Sequence, residues 1–481
     1  MRRLVRSRAL VLGARLGLLA LVLALAFPTA AQAHGIVGRA DLPIPVWLFS
    51  WAAAIVLVVS FVALSALWVT PQLQRQHRRR LIRLPAAAEW LASVVGVGLF
   101  ALVVYSGFAG AQVALANFSV TFIYVVFWVG LPVLSVMCGD VFRAFSPWRS
   151  CARLIVALVG VVRRGPGRAP LRYPRWLGMW PSVAGLVGFG WMELVYVLPD
   201  RDQPSTLAAL SVAYFAAMAL GMALFGVDEW SERGDGFAAY FHLFSRLSAV
   251  TRDEAGYVCL RRPLSGLTDL PLRRGTVALI CTIIGTTTFD GLSNGGLWRQ
   301  NELSLQAPFG DLGFHQIPAI ELTYSAGLVL CILLIAGIYR LGIVGVASIG
   351  DRYTKDELTR TFAHTLVPVA FAYVLAHYFS LLIWQGQAIG FLASDPLGNG
   401  ANIFGTSAYQ INYHIISYAA IWYVQVAALL AGHVGGLILA HDRALVLYDE
   451  PEDAVRSQYW MLAVMVAFTS FGLWLLSAVG T

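Results

Sequence analysis

Between Phe362 and Gly386 the chain reads FAHTLVPVAFAYVLAHYFSLLIWQG, a run without a single aspartate, glutamate, lysine or arginine. About twenty apolar residues in a helix cross the hydrocarbon core of a bilayer. Nine further apolar stretches of similar length occur after residue 45: 46–69, 87–110, 119–138, 177–198, 205–226, 275–294, 317–340, 413–437 and 459–478. The sequence therefore predicts an all-α fold, a polytopic transmembrane helical bundle of about ten spans.

The composition of the whole chain indicates the same class of protein. Of the 481 residues, 58% are hydrophobic and 12% are charged, whereas soluble domains carry about 25% charged residues. The net charge of +8 does not indicate a nucleic-acid partner, because the arginines fall in short clusters between apolar stretches. The predicted partner is the lipid bilayer. The five cysteines include no C-x-x-C pair, which disfavours a disulfide framework or a cysteine zinc site.

Residues 1–33 have the pattern of a secretory signal peptide. A basic segment precedes the apolar run Leu16–Phe27, and Ala31-Gln32-Ala33 matches a cleavage site. Cleavage would leave His34 at the start of the mature chain. An uncleaved first helix is the alternative, but the shortness of the apolar run favours cleavage.

The loops between the stretches predict the orientation in the membrane. Loops 71–85 and 140–176 hold clusters of arginines, whereas the alternating loops hold few. By the positive-inside rule the arginine-rich loops face the cytoplasm. We therefore expect a multi-pass protein of a bacterial plasma membrane, with both ends of the mature chain outside.

Residues 34–481 are predicted to form a single transmembrane domain. Its longest cytoplasmic loop is 227–274, in which Phe237, Phe241 and Phe244 recur at helical spacing. This spacing predicts an amphipathic helix on the inner membrane surface. A partner-binding helix is the alternative.

Four ionisable residues fall in the outer halves of different stretches: Glu193, Asp290, Glu321 and His377. Ionisable side chains at membrane depth are costly and mark functional sites, although a hydrogen bond between helices accounts for any single carboxylate equally well. We expect the four to converge in one cavity. His377, Glu321 and His34 are the candidate ligands of a divalent metal ion, copper or zinc, and Asp290 or Glu193 is the candidate general base.

Histidines occur on both stretch 362–386 and stretch 413–437, and they suggest an alternative cofactor, a haem bound by two histidines. Only His364 and His433 match in depth along the two stretches. Haem is therefore the disfavoured cofactor.

Several segments carry a resemblance to a known group. They include AHGIVGRADLPIPVWLFSW from Ala33, GDVFRAFSPWR from Gly139, GTTTFDG from Gly285 and GHVGGLILAHDRAL from Gly432. Over nearly all of the mature chain the sequence resembles bacterial membrane proteins, common in actinobacteria, that carry the name fenitrothion hydrolase. The resemblance implies hydrolysis of an apolar organophosphate triester to a nitrophenol and a dialkyl thiophosphate, in a complex that can include a second membrane subunit. It assigns no catalytic residues and leaves the native substrate open.

Two functions remain as hypotheses. The first is a membrane-embedded, metal-assisted hydrolase of apolar organophosphate triesters, in which the metal ion would polarise the phosphorus centre and activate water. The second is a transporter, or a metal-handling or assembly subunit of a membrane complex, in which the same ionisable groups form a proton or cation path. No soluble domain of useful size remains outside the apolar stretches, and the chain has no H-x-H zinc pair, so a hydrolytic site must lie within the bundle.

Overall fold

The computed structural model describes residues 46–74, 77–163, 169–196, 203–349 and 352–478. The predicted signal peptide and His34 lie outside these residues. The helices are α1 Val46–Leu67, α2 Ala86–Ala109, α3 Phe118–Cys138, α4 Val141–Phe145, α5 Pro147–Arg163, α6 Trp180–Leu194, α7 Pro204–Phe225, α8 Val227–Arg233, α9 Gly236–Ser245, α10 Thr276–Ser293, α11 Gly296–Asp311, α12 Gln316–Val346, α13 Lys355–Thr361, α14 Leu366–Trp384, α15 Ala388–Leu392, α16 Tyr418–Leu447 and α17 Pro451–Ala478. The central part of α3, Phe122–Gly130, is a π-helix. Short 3-10 turns lie at Ala114–Ala116, Ser265–Leu267, Ala363–Thr365 and Gln385–Gln387.

The helical fold confirms the predicted class. Within the described residues, nine helices are long and apolar enough to cross a membrane. The predicted stretch 177–198 contributes α6, which has only 15 residues. A helix of that length rises about 22 Å, less than the roughly 30 Å of a hydrocarbon core. This helix accounts for the difference between the ten predicted stretches and the nine long helices.

The chain divides into two compact units. Unit 1 comprises residues up to Arg75, Ile280–His377 and Ser417–Thr481, and unit 2 comprises Gln76–Leu279 and Tyr378–Ile416. The expectation from the sequence was a single domain.

The core of unit 1 depends on close contact between α14 and α16. A Cβ placed on Gly432 of α16 would lie 2.3 Å from the Cβ of Ala372 and 2.7 Å from the carbonyl oxygen of Pro368. No real side chain tolerates such distances, so the glycine is what lets the two backbones approach. Small residues serve this purpose where membrane helices pack.

Gly432→Ala should therefore destabilise the protein by about 1–3 kcal/mol, because the added methyl group overpacks the contact. The matched control is Gly337→Ala on α12, where an added Cβ meets no atom within 4 Å. That change should be neutral or stabilise by about 0.5–1 kcal/mol through helix propensity. Thermal melting of the two purified variants in detergent tests this; equal melting temperatures would refute the packing role of Gly432.

Helix α9 of unit 2 contains the regularly spaced phenylalanines for which an amphipathic helix was predicted, and it is buried. Phe241 and Phe244 on α9 are fully buried, and Phe237 is 8% exposed. Phe237 and Phe241 pack edge-on against Phe127 of α3, with ring centroids 4.8 and 5.2 Å apart. These rings are buried among protein side chains rather than left for lipid.

Unit 2 also contains a small antiparallel sheet that the sequence pattern did not predict. Strand β1 Arg79–Arg83 pairs with β3 Tyr257–Leu260, which in turn pairs with β2 Val250–Arg252. The register shifts between Arg80 and Ile82 of β1. The strands are too short, and β1 too basic, to give an alternating apolar signal.

Candidate functional site

The central feature of unit 1 is a hydrogen-bonded pair of ionisable residues. Nε2 of His377 on α14 lies 2.9 Å from Oδ2 of Asp290 on α10, and the two side chains are 14% and 11% exposed. Both residues lie within candidate membrane spans. Pairing lowers the cost of keeping ionisable groups at membrane depth.

The surroundings of Asp290 hold the carboxylate in place. Asn294, one turn further along the chain, donates from Nδ2 to Oδ1 of Asp290 at 2.9 Å. A Cβ on the adjacent Gly291 would lie 3.6 Å from Cε1 of His377 and 3.2 Å from Leu475. The distance to the imidazole would be an ordinary contact, so it is Leu475 that a side chain at this position would crowd.

The threonines of the GTTTFDG segment use their hydroxyl groups within their own helix. The hydroxyl groups of Thr286, Thr287 and Thr288 donate to the carbonyl oxygens of Thr282, Ile283 and Ile284 on the same helix. All three side chains are buried. Their hydrogen bonds are those of threonines that satisfy themselves within a helix.

The pair has a defined chemical capacity. A carboxylate only accepts hydrogen bonds, so Nε2 of His377 carries the proton that it shares with Asp290. The lone pair of the imidazole is then on Nδ1. A carboxylate that orients a neutral imidazole in this way makes it a proton acceptor, as in other carboxylate–histidine pairs that activate water or an alcohol.

The structure brings together two of the predicted site residues, Asp290 and His377. Glu321 lies on α12 of unit 1 and is half-buried; the neighbouring Tyr324 hydroxyl donates to Glu302 at 3.2 Å. Glu193 belongs to unit 2, where its charge acts on the buried phenol of Tyr240.

The predicted metal site requires three donor groups within reach of one ion. Throughout the part of the chain that the structure describes, no three histidine, cysteine, aspartate or glutamate side chains lie close enough to hold one metal ion. His34, the third predicted ligand, lies outside that part. The described donors therefore do not form a complete ligand set, and copper or zinc binding stays a prediction.

Sequence reasoning missed a second carboxylate–histidine pair, which lies in unit 2. Oδ2 of Asp140 is 2.8 Å from Nδ1 of His242, and Nε of Arg246 donates to Nε2 of the same ring at 3.3 Å. Burial raises the pKa of Asp140, but the hydrogen bond from His242 and the charge of Arg143 outweigh it and hold the pKa below its ordinary value. Asp140 and His242 are 102 residues apart, and no sequence spacing links them.

Comparison of the chain with protein-family models, with curated proteins and with solved structures gives no match. The resemblance to the fenitrothion hydrolase group therefore stays a prediction.

Proposed function

We propose that the protein is a membrane-embedded hydrolase of apolar organophosphate triesters, with His377 as general base and Asp290 as the group that orients it. The observation that carries the proposal is the 2.9 Å contact between these two side chains inside membrane-spanning helices. The resemblance in sequence supplies the substrate class.

The proposed reaction needs one proton acceptor. Nδ1 of His377 takes a proton from a water molecule while the water oxygen forms a bond to phosphorus. The bond between phosphorus and the aryl oxygen breaks, and the nitrophenolate leaves with its electron pair. Asp290 stabilises the imidazolium that forms. General-base catalysis of this kind increases a rate by a factor of about 10²–10⁴. Because nitrophenolate is a good leaving group, its departure needs little further stabilisation.

The location of the pair suits an apolar substrate. A neutral triester partitions into the bilayer and can reach a site between helices laterally, without crossing an aqueous entrance. Water has to reach the same site, and the partial exposure of both side chains, 14% and 11%, is consistent with that requirement. A second membrane subunit is the protein partner that the resemblance implies.

Proton-coupled transport is the second candidate function. It is favoured by the same pair, because Asp and His side chains within membrane spans also form proton relays in transporters. Transport requires movement of a solute and no bond cleavage. Release of product by purified protein therefore separates the two candidates.

The first test is turnover by protein reconstituted in lipid nanodiscs, with a nitrophenyl dialkyl thiophosphate as substrate and nitrophenolate absorbance as readout. We expect turnover above that of empty nanodiscs, and we expect it to persist after treatment with a metal chelator, because the described catalytic pair needs no metal ion. Loss of activity on chelation, restored by copper or zinc, would instead indicate the ligand set with His34. Absence of turnover from untreated protein would favour the transporter.

The orientation is proposed on the arginine distribution: cleavage after Ala33, residence in a bacterial plasma membrane and both mature ends outside. A reporter enzyme that works only in the cytoplasm should be inactive when fused after Thr481. The matched fusion within the 140–176 loop should be active. An active reporter after Thr481 contradicts the proposed orientation.

A further inference from the structure

Unit 1 holds a second set of buried polar groups, along α16, that the proposed hydrolase does not use. Gln425 is 2% exposed, and His433 and Asp442 are fully buried. They follow one another along a single membrane-spanning helix. From Gln425 to Asp442 the helix rises about 25 Å, most of the roughly 30 Å thickness of a hydrocarbon core.

The hydrogen bonds of two histidines determine which ring nitrogen carries the proton and which carries the lone pair. Nδ1 of His433 lies 2.7 Å from the carbonyl oxygen of Leu429, and Nδ1 of His364 lies 3.0 Å from that of Thr361. A carbonyl accepts only, so Nδ1 carries the proton in both rings and Nε2 carries the lone pair. Both Nε2 atoms are buried and have no hydrogen-bond partner among the described residues.

Two glutamines add acceptors of the same kind. Oε1 of Gln425 and Oε1 of Gln458 are buried without a partner in the described part of unit 1. Four buried acceptors thus lack donors. Such atoms are costly in a protein interior, and native structures satisfy them with ordered water or with a functional ligand.

The distances between these residues determine whether a single metal ion or a series of water molecules can satisfy the buried acceptors. His433 and His441 are eight residues apart on α16, a rise of about 12 Å, so they cannot bind one metal ion together. The positive charge of Arg443 also acts on His364, which opposes a metal cation there. Water molecules supply donors at several levels and satisfy each acceptor where it lies.

Side chains of α14 and of the turn before it lie beside α16, between the polar residues of that helix. The ring centroid of Tyr373 on α14 is 6.1 Å from that of His433. The carbonyl oxygen of Thr365 lies 3.0 Å from where a Cβ on Gly436 would be, which places the start of α14 beside α16 between His433 and His441. His364 therefore lies at a height along α16 between those of His433 and His441.

The polar groups at the inner end of α16 form hydrogen bonds with residues 68–74, the segment that follows α1. Nε2 of His441 contacts the carbonyl oxygen of Trp68 at 2.9 Å, and its Nδ1 is 3.2 Å from Nε2 of Gln458. Asp442 accepts hydrogen bonds from the backbone of Gln72 at 2.6 Å and from the side chain of Gln74 at 2.9 Å. The segment 68–74 brings these groups to the inner boundary predicted by the arginine-rich loop.

We infer that unit 1 contains a proton-conducting track, made of ordered water and the side chains of Gln425, Tyr373, His433, His364, His441 and Asp442. His433 and His364 accept a proton at Nε2 and release one from Nδ1. His441 has the opposite arrangement, with the proton on the Nε2 that faces the carbonyl oxygen of Trp68. Water molecules relay the proton between levels. This activity is separate from ester hydrolysis and would link the outer half of α16 with the cytoplasmic side.

The experiment is proton uptake into liposomes that contain the purified full-length protein and a trapped pH-sensitive dye, driven by a potassium diffusion potential. No ester is present, so the result is independent of the proposed hydrolase. Wild type should take up protons faster than protein-free liposomes. His433→Phe should lower the rate by about tenfold or more, because it removes a relay group at membrane depth.

A matched pair of tyrosines keeps the test decisive if His433→Phe fails to fold. Tyr373 and Tyr339 are 5% and 6% exposed, and each hydroxyl donates to a backbone carbonyl, of Phe468 at 3.3 Å and of Thr359 at 2.6 Å. Tyr373→Phe should lower proton uptake several-fold, whereas Tyr339→Phe, outside the track, should leave it unchanged. Wild-type uptake equal to that of protein-free liposomes, or equal uptake by the two tyrosine variants, would overturn the inference.

Discussion

Asp290→Asn should lower the turnover of a nitrophenyl dialkyl thiophosphate by about 100-fold or more, the contribution expected of general-base catalysis. The asparagine oxygen still accepts a hydrogen bond from Nε2 of His377, so the helices should pack as before. What is lost is the negative charge that stabilises the imidazolium. Steady-state nitrophenolate release at saturating substrate measures the effect.

The controls separate catalysis from folding. His377→Gln should cause a loss of similar size, and the double variant should be little worse than either single one, because residues that act as a unit are not additive. Asp311→Asn, at the exposed end of α11 in the same unit, should leave turnover unchanged. Additive losses from the two site variants would mean that the side chains act separately.

Asp235→Ala should produce the largest loss of stability, about 3 kcal/mol or more, because it leaves buried donors without their acceptor. Asp235 is fully buried at the start of α9. It accepts hydrogen bonds from Nε1 of Trp148 at 2.5 Å and from the hydroxyl of Tyr214 at 2.8 Å. Two backbone amides, of Phe237 and Ala238, add bonds at 3.1 Å.

The charge state of Asp235 does not weaken this prediction. Burial raises the pKa of the carboxyl group, and the hydrogen bonds offset burial only in part. Either form satisfies donors from α5, α7 and α9, which alanine cannot do. Thermal melting in detergent should show the loss. Asp449→Ala is the control, because that side chain is 89% exposed, its partner Arg352 is 63% exposed, and exposed ion pairs contribute little. A melting temperature for Asp235→Ala close to that of the control would contradict the structural role.

The sequence allowed the helical class and most of the spans to be predicted, because a run of about twenty apolar residues is long enough to cross a bilayer and rare in soluble proteins. The exception is α6, which contains Pro181 and the glycines at 185, 188 and 190, and which is shorter than the apolar stretch. Hydropathy measures composition and does not fix where a helix begins or ends. The short sheet of unit 2 lies beyond what such a pattern can indicate.

The candidate site was predicted in part. Equal depth on two spans correctly associated Asp290 with His377, since groups at one level of a bundle can meet. The same argument grouped Glu193, which belongs to unit 2, with them, and that grouping stays a prediction. Depth gives one coordinate, and the direction of a side chain around its helix depends on packing. For that reason the pair of Asp140 and His242 was also missed.

The most direct test of the central proposal is the fate of solvent oxygen in the hydrolysis. Purified wild-type protein in nanodiscs is incubated with the triester in water enriched in oxygen-18, and both products are analysed by mass spectrometry. We predict one solvent oxygen in the dialkyl thiophosphate, none in the nitrophenol, and a rate of product formation from Asp290→Asn that is lower by about 100-fold or more. Label in the nitrophenol, or no more product than empty nanodiscs give, would contradict the proposal that His377 activates water for attack on phosphorus.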